Sequence, residues 1–511
     1  MNEERPPSLW WGMWKRFLLA ALLIVALSAG ATATVALNTV NGIAEEVFPK
    51  LSHVSAPRAL VTPEYNGGPE TFLILGSDRR EGSRDVFDRT DPPHSDTILL
   101  VRFDPEQGQT SVLSIPRDLL VNITGPHGLL YEHEKINAAY TIGSKLEGTR
   151  GAMLVAAETI KREVFPELTL NAIVDVNFKG FIRVVDALGC AYVNVDHRYF
   201  NLNTGSPETN YTSVNLEPGY QKLCYEDALD YVRYRHTDSD FVRVARQQDF
   251  LRDLREQVSA EDVLGQIDTV AKAVGHAIAS TVQGSGSELL KLAKLIAFSQ
   301  SKPLRQVKFL TSNDDAILGG VSYVTSTPEL ERKTLARFLN GQEQLSLASV
   351  AQRSRGRSSG HAHSSAPQAN DLYPTSLSGE SEAVKASVSV PFRVLYPTLQ
   401  TAQAQQQEVR PYALTDTAGH LHHAYIVVWQ QNTIGGYYDL EGTDWLSPPL
   451  FAHSHSQLID GRRYLIVDDG SHIHVVGWRS GGVLYWVTNT LLEELSNQQM
   501  VALARSARSL H

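Results

Sequence analysis

The hydrophobic pattern changes character several times along the chain. Residues 17–37 carry no charge and include LLAALLIVAL, matching the roughly 20 apolar residues that a helix needs to cross a bilayer. Residues 38–68 are mixed, read as a juxtamembrane stalk, and end in the turn-rich Thr62-Pro63-Glu64-Tyr65-Asn66-Gly67-Gly68. From Thr71 onward, TFLILG, DTILLVRF, TSVLSI and AIVDVNF are apolar or β-branched runs of strand length. Between them Met153, Ala156, Ala157, Ile160 and Val164 fall at helical spacing, as do Phe178, Phe181, Ile182, Val185 and Leu188 before the strand CAYVNV. This alternation predicts an α/β domain over residues 69–345, with helices covering a central sheet. Residues 245–300 read as mostly helical, with Phe250, Leu251, Leu254 and Val258 on one stripe, and the strand QVKFLT and a helix over 328–341 complete the domain. Residues 346–387 are rich in Ser, Gly and charge, which predicts a flexible linker. Residues 388–511 regain strand texture in AYIVVW, RRYLIVDDG, HIHVVGW and VLYWVTNTL and end on a helical stretch over 491–508. They predict a small β-rich second domain.

Charge places the ends of the first apolar run. Lys15 and Arg16 precede it and Glu45 and Glu46 follow, so residues 1–16 stay cytoplasmic and the bulk of the protein is exported. Trp10, Trp11 and Trp14 fall at the inner interface. Ala29-Gly30-Ala31 offers the rival reading of a cleaved signal peptide, although the apolar run continues past it. A length of 511 residues predicts roughly three domains. The net charge of −10 argues against general nucleic-acid affinity, so any basic site is local. The 2 cysteines, Cys190 and Cys224, lie in the exported part, where a disulfide would add roughly 3–4 kcal/mol in the chain-entropy model. Two buried thiols are the alternative.

The candidate chemistry sits at strand ends. Gly76-Ser77-Asp78-Arg79-Arg80 closes the first strand, Ser95-Asp96-Thr97 opens the next, Ser114-Ile115-Pro116-Arg117-Asp118 ends a third, and Lys135-Ile136-Asn137 follows. Carboxylates at the mouth of a sheet suit a hard divalent cation, and guanidiniums suit a diphosphate. Asp96 shares a crevice with Asp78 only if its strand runs antiparallel to the first. Further on, Arg233 and Arg235 would point the same way in extended backbone. Arg243, Arg246 and Gln247, at i, i+3 and i+4, share one helix face, with Asp238 or Ser239 as cap. Turn-capping aspartates and a solvated charged helix are the plain structural readings, and the combination of both groups favours a polyanionic ligand.

These pieces (GSDRR, SDTILLVRFD, SIPRD, KINAAY, VVDALG and ALDYVRYRHTDSDFVRVARQQDFL) resemble the LytR–CpsA–Psr family of bacterial cell-wall proteins. Cys190-Ala191 stands where the family usually has Gly-Val, and the stretch between Asp78 and Asp96 is long. The resemblance implies a three-layer α-β-α domain with a mixed sheet. It also implies a membrane-anchored, extracytoplasmic phosphotransferase that moves a glycopolymer from a polyprenyl-pyrophosphate carrier onto peptidoglycan. By carry-over, Asp78 and Asp96 would hold Mg²⁺ or Mn²⁺. Arg80, Arg117, Lys135, Arg233, Arg235, Arg243, Arg246 and Gln247 would bind the pyrophosphate, and an apolar groove would take the prenyl chain. Arg117 would act in catalysis, with Asp118 and Asp240 as candidate bases for the sugar hydroxyl. A polyprenyl-pyrophosphate hydrolase and a non-catalytic binder of lipid-linked glycan or wall are the competing readings. In the C-terminal domain, His420, His422, His423, His453, His455, His472 and His474 read as surface residues or metal ligands. Trp429, Trp445, Trp478 and Trp486 read as core or a glycan platform.

Overall fold

The computed structural model describes residues 52–62, 67–78, 93–125, 128–202, 213–234, 240–257, 278–282, 304–340, 372–375, 377–402, 404–431, 436–469 and 472–509. The expected tail at 1–16, transmembrane run at 17–37 and most of the stalk and linker lie outside them. Among the described residues no helix is long and apolar enough to cross a membrane. The chain divides into two compact units, Met1–Cys190 with Val258–Gln344, and Ala191–Gln257 with Leu345–His511. Residues 191–257, expected inside one domain at 69–345, thus group with the C-terminal residues.

In chain order the elements begin with β1 (Ser52–His53), β2 (Glu70–Ser77), β3 (Ser95–Asp104), β4 (Gln109–Ser114), β5 (Leu120–Thr124) and β6 (Leu130–Lys135). Then come α1 (Ala138–Thr159), β7 (Ala172–Asn177), α2 (Phe178–Ala187), β8 (Ala191–Val195), β9 (Gly219–Leu223), α3 (Tyr225–Arg233) and α4 (Asp240–Gln257). The chain continues through β10 (Ile278–Ser280), β11 (Leu304–Val307), β12 (Asn313–Leu318), β13 (Val321–Thr325) and α5 (Pro328–Asn340). It ends with α6 (Leu377–Ser387), β14 (Gln405–Thr415), β15 (Leu421–Gln430), β16 (Tyr437–Thr443), β17 (His455–Ile459), β18 (Arg462–Asp469), β19 (His472–Ser480), β20 (Val483–Thr488) and α7 (Asn497–Ser506).

The first unit is α/β, built on a mixed sheet of 7 strands in the order β1-β10-β7-β2-β3-β4-β11. β2 is parallel to β7 and antiparallel to β3, and β4 is antiparallel to β3 and parallel to β11. Alternation along the strands sends Leu73, Leu75, Leu100, Leu113 and Ile173 into one core with Ala152, Met153 and Ala156 of α1. α1 turns sharply at Glu147 and Gly148, where Gly148 takes φ +58°, and its two halves meet so closely at Gly143 and Gly151 that a methyl on either would strike the other's carbonyl. Asn177 caps α2 by accepting from the Gly180 amide at 2.9 Å. Residues 278–280, expected to be helical, form strand β10 between β1 and β7. The run Ile-Ala-Ser is completed there by sheet hydrogen bonds that its sequence does not announce.

The second unit carries an antiparallel sheet of 7 strands in the order β14-β15-β16-β20-β19-β18-β17, the expected β-rich C-terminal part. A capping box of Ser496 and Gln499 starts α7. α6 lies within the stretch read as linker, because its small residue Ala383 packs into the core where large apolar side chains are lacking. Residues 191–257 join this sheet by specific contacts. Asn194 Nδ2 donates to Asp439 Oδ2 at 2.9 Å, the Tyr220 amide donates to Glu441 at 3.1 Å, and Tyr192 and Tyr220 pack with Trp445 and Trp486. Cys190 and Cys224 are both disulfide-bonded.

Candidate functional site

Antiparallel pairing of β2 with β3 sets Gly76 against Thr97 and Ser77 against Ser95. Asp78, just past β2, and Asp96, second in β3, therefore leave the sheet at the same end. Asp78 Oδ1 accepts from the His94 amide at 2.5 Å, and the Asp78 amide donates to the His94 carbonyl at 3.1 Å. Thr141 of α1 holds this approach by donating to the Pro93 carbonyl at 2.8 Å. β4 returns to the same end, since the Ile115 amide donates to the Ile98 carbonyl at 2.9 Å, and it delivers Pro116, Arg117 and Asp118 there.

The β5–β6 hairpin brings the fifth residue, with Leu120 registered against Lys135. Arg117 Nη1 donates to Asp96 Oδ1, Arg117 Nε lies 3.6 Å from Asp118 Oδ2, and Lys135 Nζ lies 2.9 Å from Asp118 Oδ1. Asp96, Arg117, Asp118 and Lys135 thus form a row of alternating charge. The Asp96 side chain is 32% exposed and that of Lys135 24%, so solvent weakens these pairs and an incoming anion can replace a carboxylate cheaply. Below the row, Tyr140 of α1 donates to the buried Asp175 of β7 at 2.9 Å.

The arginines of the second unit are placed differently from the expectation. Arg233 is the last residue of helix α3 rather than part of an extended strand. Arg246 is fully buried, and its guanidinium donates to the carbonyls of Tyr234 at 2.7 Å and Tyr231 at 3.3 Å and to the Tyr199 hydroxyl at 3.1 Å. It also lies 4.4 Å from the Tyr199 ring centre. Gln247 Nε2 donates to the Val232 carbonyl at 3.1 Å. Both side chains serve the open carbonyls at the end of α3, which a helix terminus leaves unpaired. Arg243, also buried, shares that face of α4. Arg80 and Arg235 and the side chain of Asp240 lie outside the described residues.

Sequence reasoning missed Asp230. Burial lifts its carboxyl to about 6, against the pull of Arg233. The signal was present, since Asp230 precedes Arg233 by one helical turn in ALDYVRYR.

In the C-terminal part five of the seven histidines, His420, His422, His423, His455 and His474, take carboxylate partners. His422 pairs with Asp444 at 2.8 Å, His420 with Asp416 at 3.0 Å and His455 with Asp468 at 3.1 Å. His474, expected at the surface, is buried and lies 2.7 Å from Glu493. Among the described residues no three His, Cys, Asp or Glu are arranged to hold a metal ion. Trp429, Trp445, Trp478 and Trp486 are buried, which makes them core and removes the glycan platform. A cleft of about 690 Å³ between β17–β18 and α7 is lined by Ile459, Ile466, Asp468, Asn497 and Arg505 and by one candidate histidine, His455, which pairs there with Asp468.

Comparison with known proteins comes to the same segment. The pattern of the LytR_cpsA_psr family matches residues 38–337. An uncharacterised protein of Staphylococcus aureus is 28% identical over 277 residues, covering 53% of this chain and 61% of that protein. Biofilm regulatory protein A of Streptococcus mutans is 26% identical over 266 residues, covering 51% and 61%. The polyisoprenyl-teichoic acid–peptidoglycan teichoic acid transferase TagT of Bacillus subtilis is 29% identical over 265 residues, covering 51% and 74%. The chain therefore spans about 61% of the length of the first two relatives. The crystal structure of Bacillus subtilis TagV aligns with a TM-score of 0.41 at 22% identity, over 55% of this chain and 100% of that one.

Proposed function

Because the chain belongs to the LytR_cpsA_psr family, we propose that it is a membrane-anchored, extracytoplasmic phosphotransferase joining a glycopolymer from a polyprenyl-pyrophosphate carrier to peptidoglycan. The observation that carries this reading is the meeting of Asp78, Asp96, Arg117, Asp118 and Lys135 at one end of the β2–β3–β4 sheet. The name of TagT, a transferase between just these two classes of polymer, supports it.

Asp78 and Asp96 offer hard carboxylate oxygens for Mg²⁺ or Mn²⁺. Two protein carboxylates without a full protein cage suit an ion that shares its sphere with waters and substrate phosphates. When bound, the ion would neutralise diphosphate charge. Arg117 and Lys135 would turn from their carboxylates to the phosphate oxygens, where charge accumulates as the bond to the leaving group lengthens. The acceptor sugar hydroxyl would attack the phosphorus that carries the glycan. Its P–O bond to the carrier would break, and polyprenyl phosphate would leave. Asp118 would take the hydroxyl proton once Lys135 and Arg117 have moved to the substrate. Asp240 is the second candidate. Arg80, Arg233, Arg235 and Arg243 keep the phosphate-binding role that the family implies, while Arg246 and Gln247 act by holding the end of α3.

The test uses the full chain in lipid nanodiscs with a polyprenyl-pyrophosphoryl oligosaccharide, Mg²⁺ and peptidoglycan fragments, read by mass spectrometry. A phosphodiester-linked glycan that is lost in Asp78→Ala and Arg117→Ala supports transfer. Free sugar phosphate without linkage would make the protein a hydrolase. Donor binding without turnover would make it a binder.

A further inference from the structure

The β12–β13 hairpin ends in an exposed apolar tip. Ile317 is 63% exposed, Leu318 49% and Val321 44%, and Leu318 faces Val321 across the turn. Gly319 and Gly320 form that turn with φ of +60° and +85°, and among the described residues nothing stands within 4 Å of where a Cβ would be. Two consecutive positive φ values admit glycine and few other residues, so the turn is tight and the finger narrow. Apolar side chains at such a tip give up solvation with no return inside the fold, and a two-stranded ribbon has little core of its own to hold them.

The finger is planted beside the site. The Val324 amide donates to the Asp118 carbonyl at 2.9 Å, and Val324 bridges to Leu119 in parallel orientation. Tracing β13 back from that bridge toward its tip leads to the side where Arg117 and Asp118 emerge. Lys135 Nζ sits 5.5 Å from the Tyr323 ring centre. The Leu318–Val321 pair is two residues further out, roughly 7 Å along the strand.

From this geometry we infer that the Ile317–Leu318–Val321 tip enters the outer face of the lipid bilayer and sets the charged row at the height of a membrane-borne pyrophosphate. The inference rests on the reading that the donor is lipid-linked. A bilayer suits the tip better than a protein does, because a stable protein interface covers about 800 Å² per partner and three side chains on a ribbon end fall short of that. An apolar tip needs only to reach the acyl boundary. Asp314 and Asp315 mark the depth of entry. Asp315 accepts from the Ser322 hydroxyl at 2.5 Å, and both carboxylates resist leaving water. The three residues from Leu318 back to Asp315 span roughly 10 Å, which matches the depth of interfacial burial. Residues 38–52, between the apolar run and β1, can extend at most about 50 Å, so the unit stays within reach of the membrane.

The test places a fluorophore at the tip. The full chain carrying Leu318→Trp is reconstituted in nanodiscs of ordinary or acyl-brominated phosphatidylcholine. Leu130→Trp, at a position 59% exposed in the same unit and at the opposite end of β6 from Lys135, serves as control. The fluorescence that L318W adds is expected to fall severalfold in brominated discs, while that added by L130W stays constant. Anchored protein whose L318W signal is equally bright in both discs would overturn the inference and leave the transferase reading intact. A chain that fails to enter discs would overturn both the inference and the membrane anchoring. In the transfer assay, the Ile317→Ser, Leu318→Ser double variant should raise KM for the prenyl donor about tenfold with little change in kcat. A water-soluble short-chain donor should show no such rise. An equal rise with both donors would point to a structural role for the tip and against the inference.

Discussion

Arg117 donates a hydrogen bond to Asp96, although the sequence reading gives one to a phosphate and the other to a metal ion. The two assignments are compatible if the pair holds both side chains in place until cation and donor arrive together. Arg117 is 16% and Asp96 32% exposed, so solvent still screens the pair, and a net contribution on the order of 1 kcal/mol is one that an incoming phosphate and cation can offset. Asp96→Asn is therefore expected to leave the melting temperature within a few degrees of the parent. Transfer should fall by about 10²-fold or more, as when one charge-stabilising group is lost from a reacting centre. Calorimetry and the mass-spectrometric assay on the same preparation check this, and a large drop in melting temperature would show that Asp96 is structural.

Arg246 makes the opposite prediction. Its guanidinium fills the end of α3, and with His197 it helps hold the Asp196 carboxyl below its ordinary range despite burial. Arg246→Met would leave two carbonyls without their donor and take a buried positive charge away from Asp196, which keeps His197 and Tyr199, costing about 3 kcal/mol. Arg246→Lys, which keeps the charge but loses the planar fork, should recover part of that. Urea denaturation measures both. An unchanged midpoint in R246M would return Arg246 to the ligand.

These two arginines show how far the sequence could be read. Strand ends were legible because apolar runs stop sharply at Asp78 and Arg117, and the order of motifs named the family. That Asp96 joins Asp78 depended on strand direction, which periodicity does not report and the antiparallel register supplies. Arg246 looked like a free cation because its partners are backbone carbonyls of α3, and these leave no mark in a sequence. β10 escaped notice for a similar reason. Three residues carry no period, and only their neighbours β1 and β7 make them a strand.

Glu70 gives a stability prediction with a sign. It opens β2, is 1% exposed, and its two carboxylate oxygens have no hydrogen-bond partner among the described residues. Burial raises its pKa from 4.5 to about 8. The folded state therefore holds the proton more tightly than the unfolded state. Stability is fully present below pH 4.5 and declines as pH rises toward 8. Glu70→Gln mimics the protonated form, so it should match the parent at pH 4 and exceed it at pH 8 by an amount on the order of 4 kcal/mol. Parallel denaturation series at the two pH values read the difference, and identical offsets at both would refute the burial argument.

The second unit has its own pH dependence, concentrated where α4 meets β18 and β19. Arg252 Nη1 donates to Asp469 at 2.9 Å, its Nη2 lies 2.9 Å from His474 Nε2, and His474 Nδ1 lies 2.7 Å from Glu493. Burial and the Arg252 charge press the His474 pKa down, but Asp249 and Glu493 outweigh them and hold it above its ordinary value. Burial lifts Glu493 to about 7 against the attraction of His474. Both shifts have one sign. Glu493 contributes most below pH 4.5 and loses its contribution as pH approaches 7, and the His474 contribution follows as pH rises through its raised pKa. The unit should thus be more stable at pH 5 than at pH 8. Glu493→Gln, locked in the neutral form, should track the parent at pH 5 and exceed it at pH 8 by about 3 kcal/mol. His474→Gln should lose stability chiefly at pH 5, where the imidazolium is the partner of Asp249. Hydrogen exchange on α4 and β19 of the full chain localises the effect. If protection there does not change between pH 5 and pH 8, the cluster is not the source, and Glu441, which burial also lifts to about 7, becomes the residue to change next.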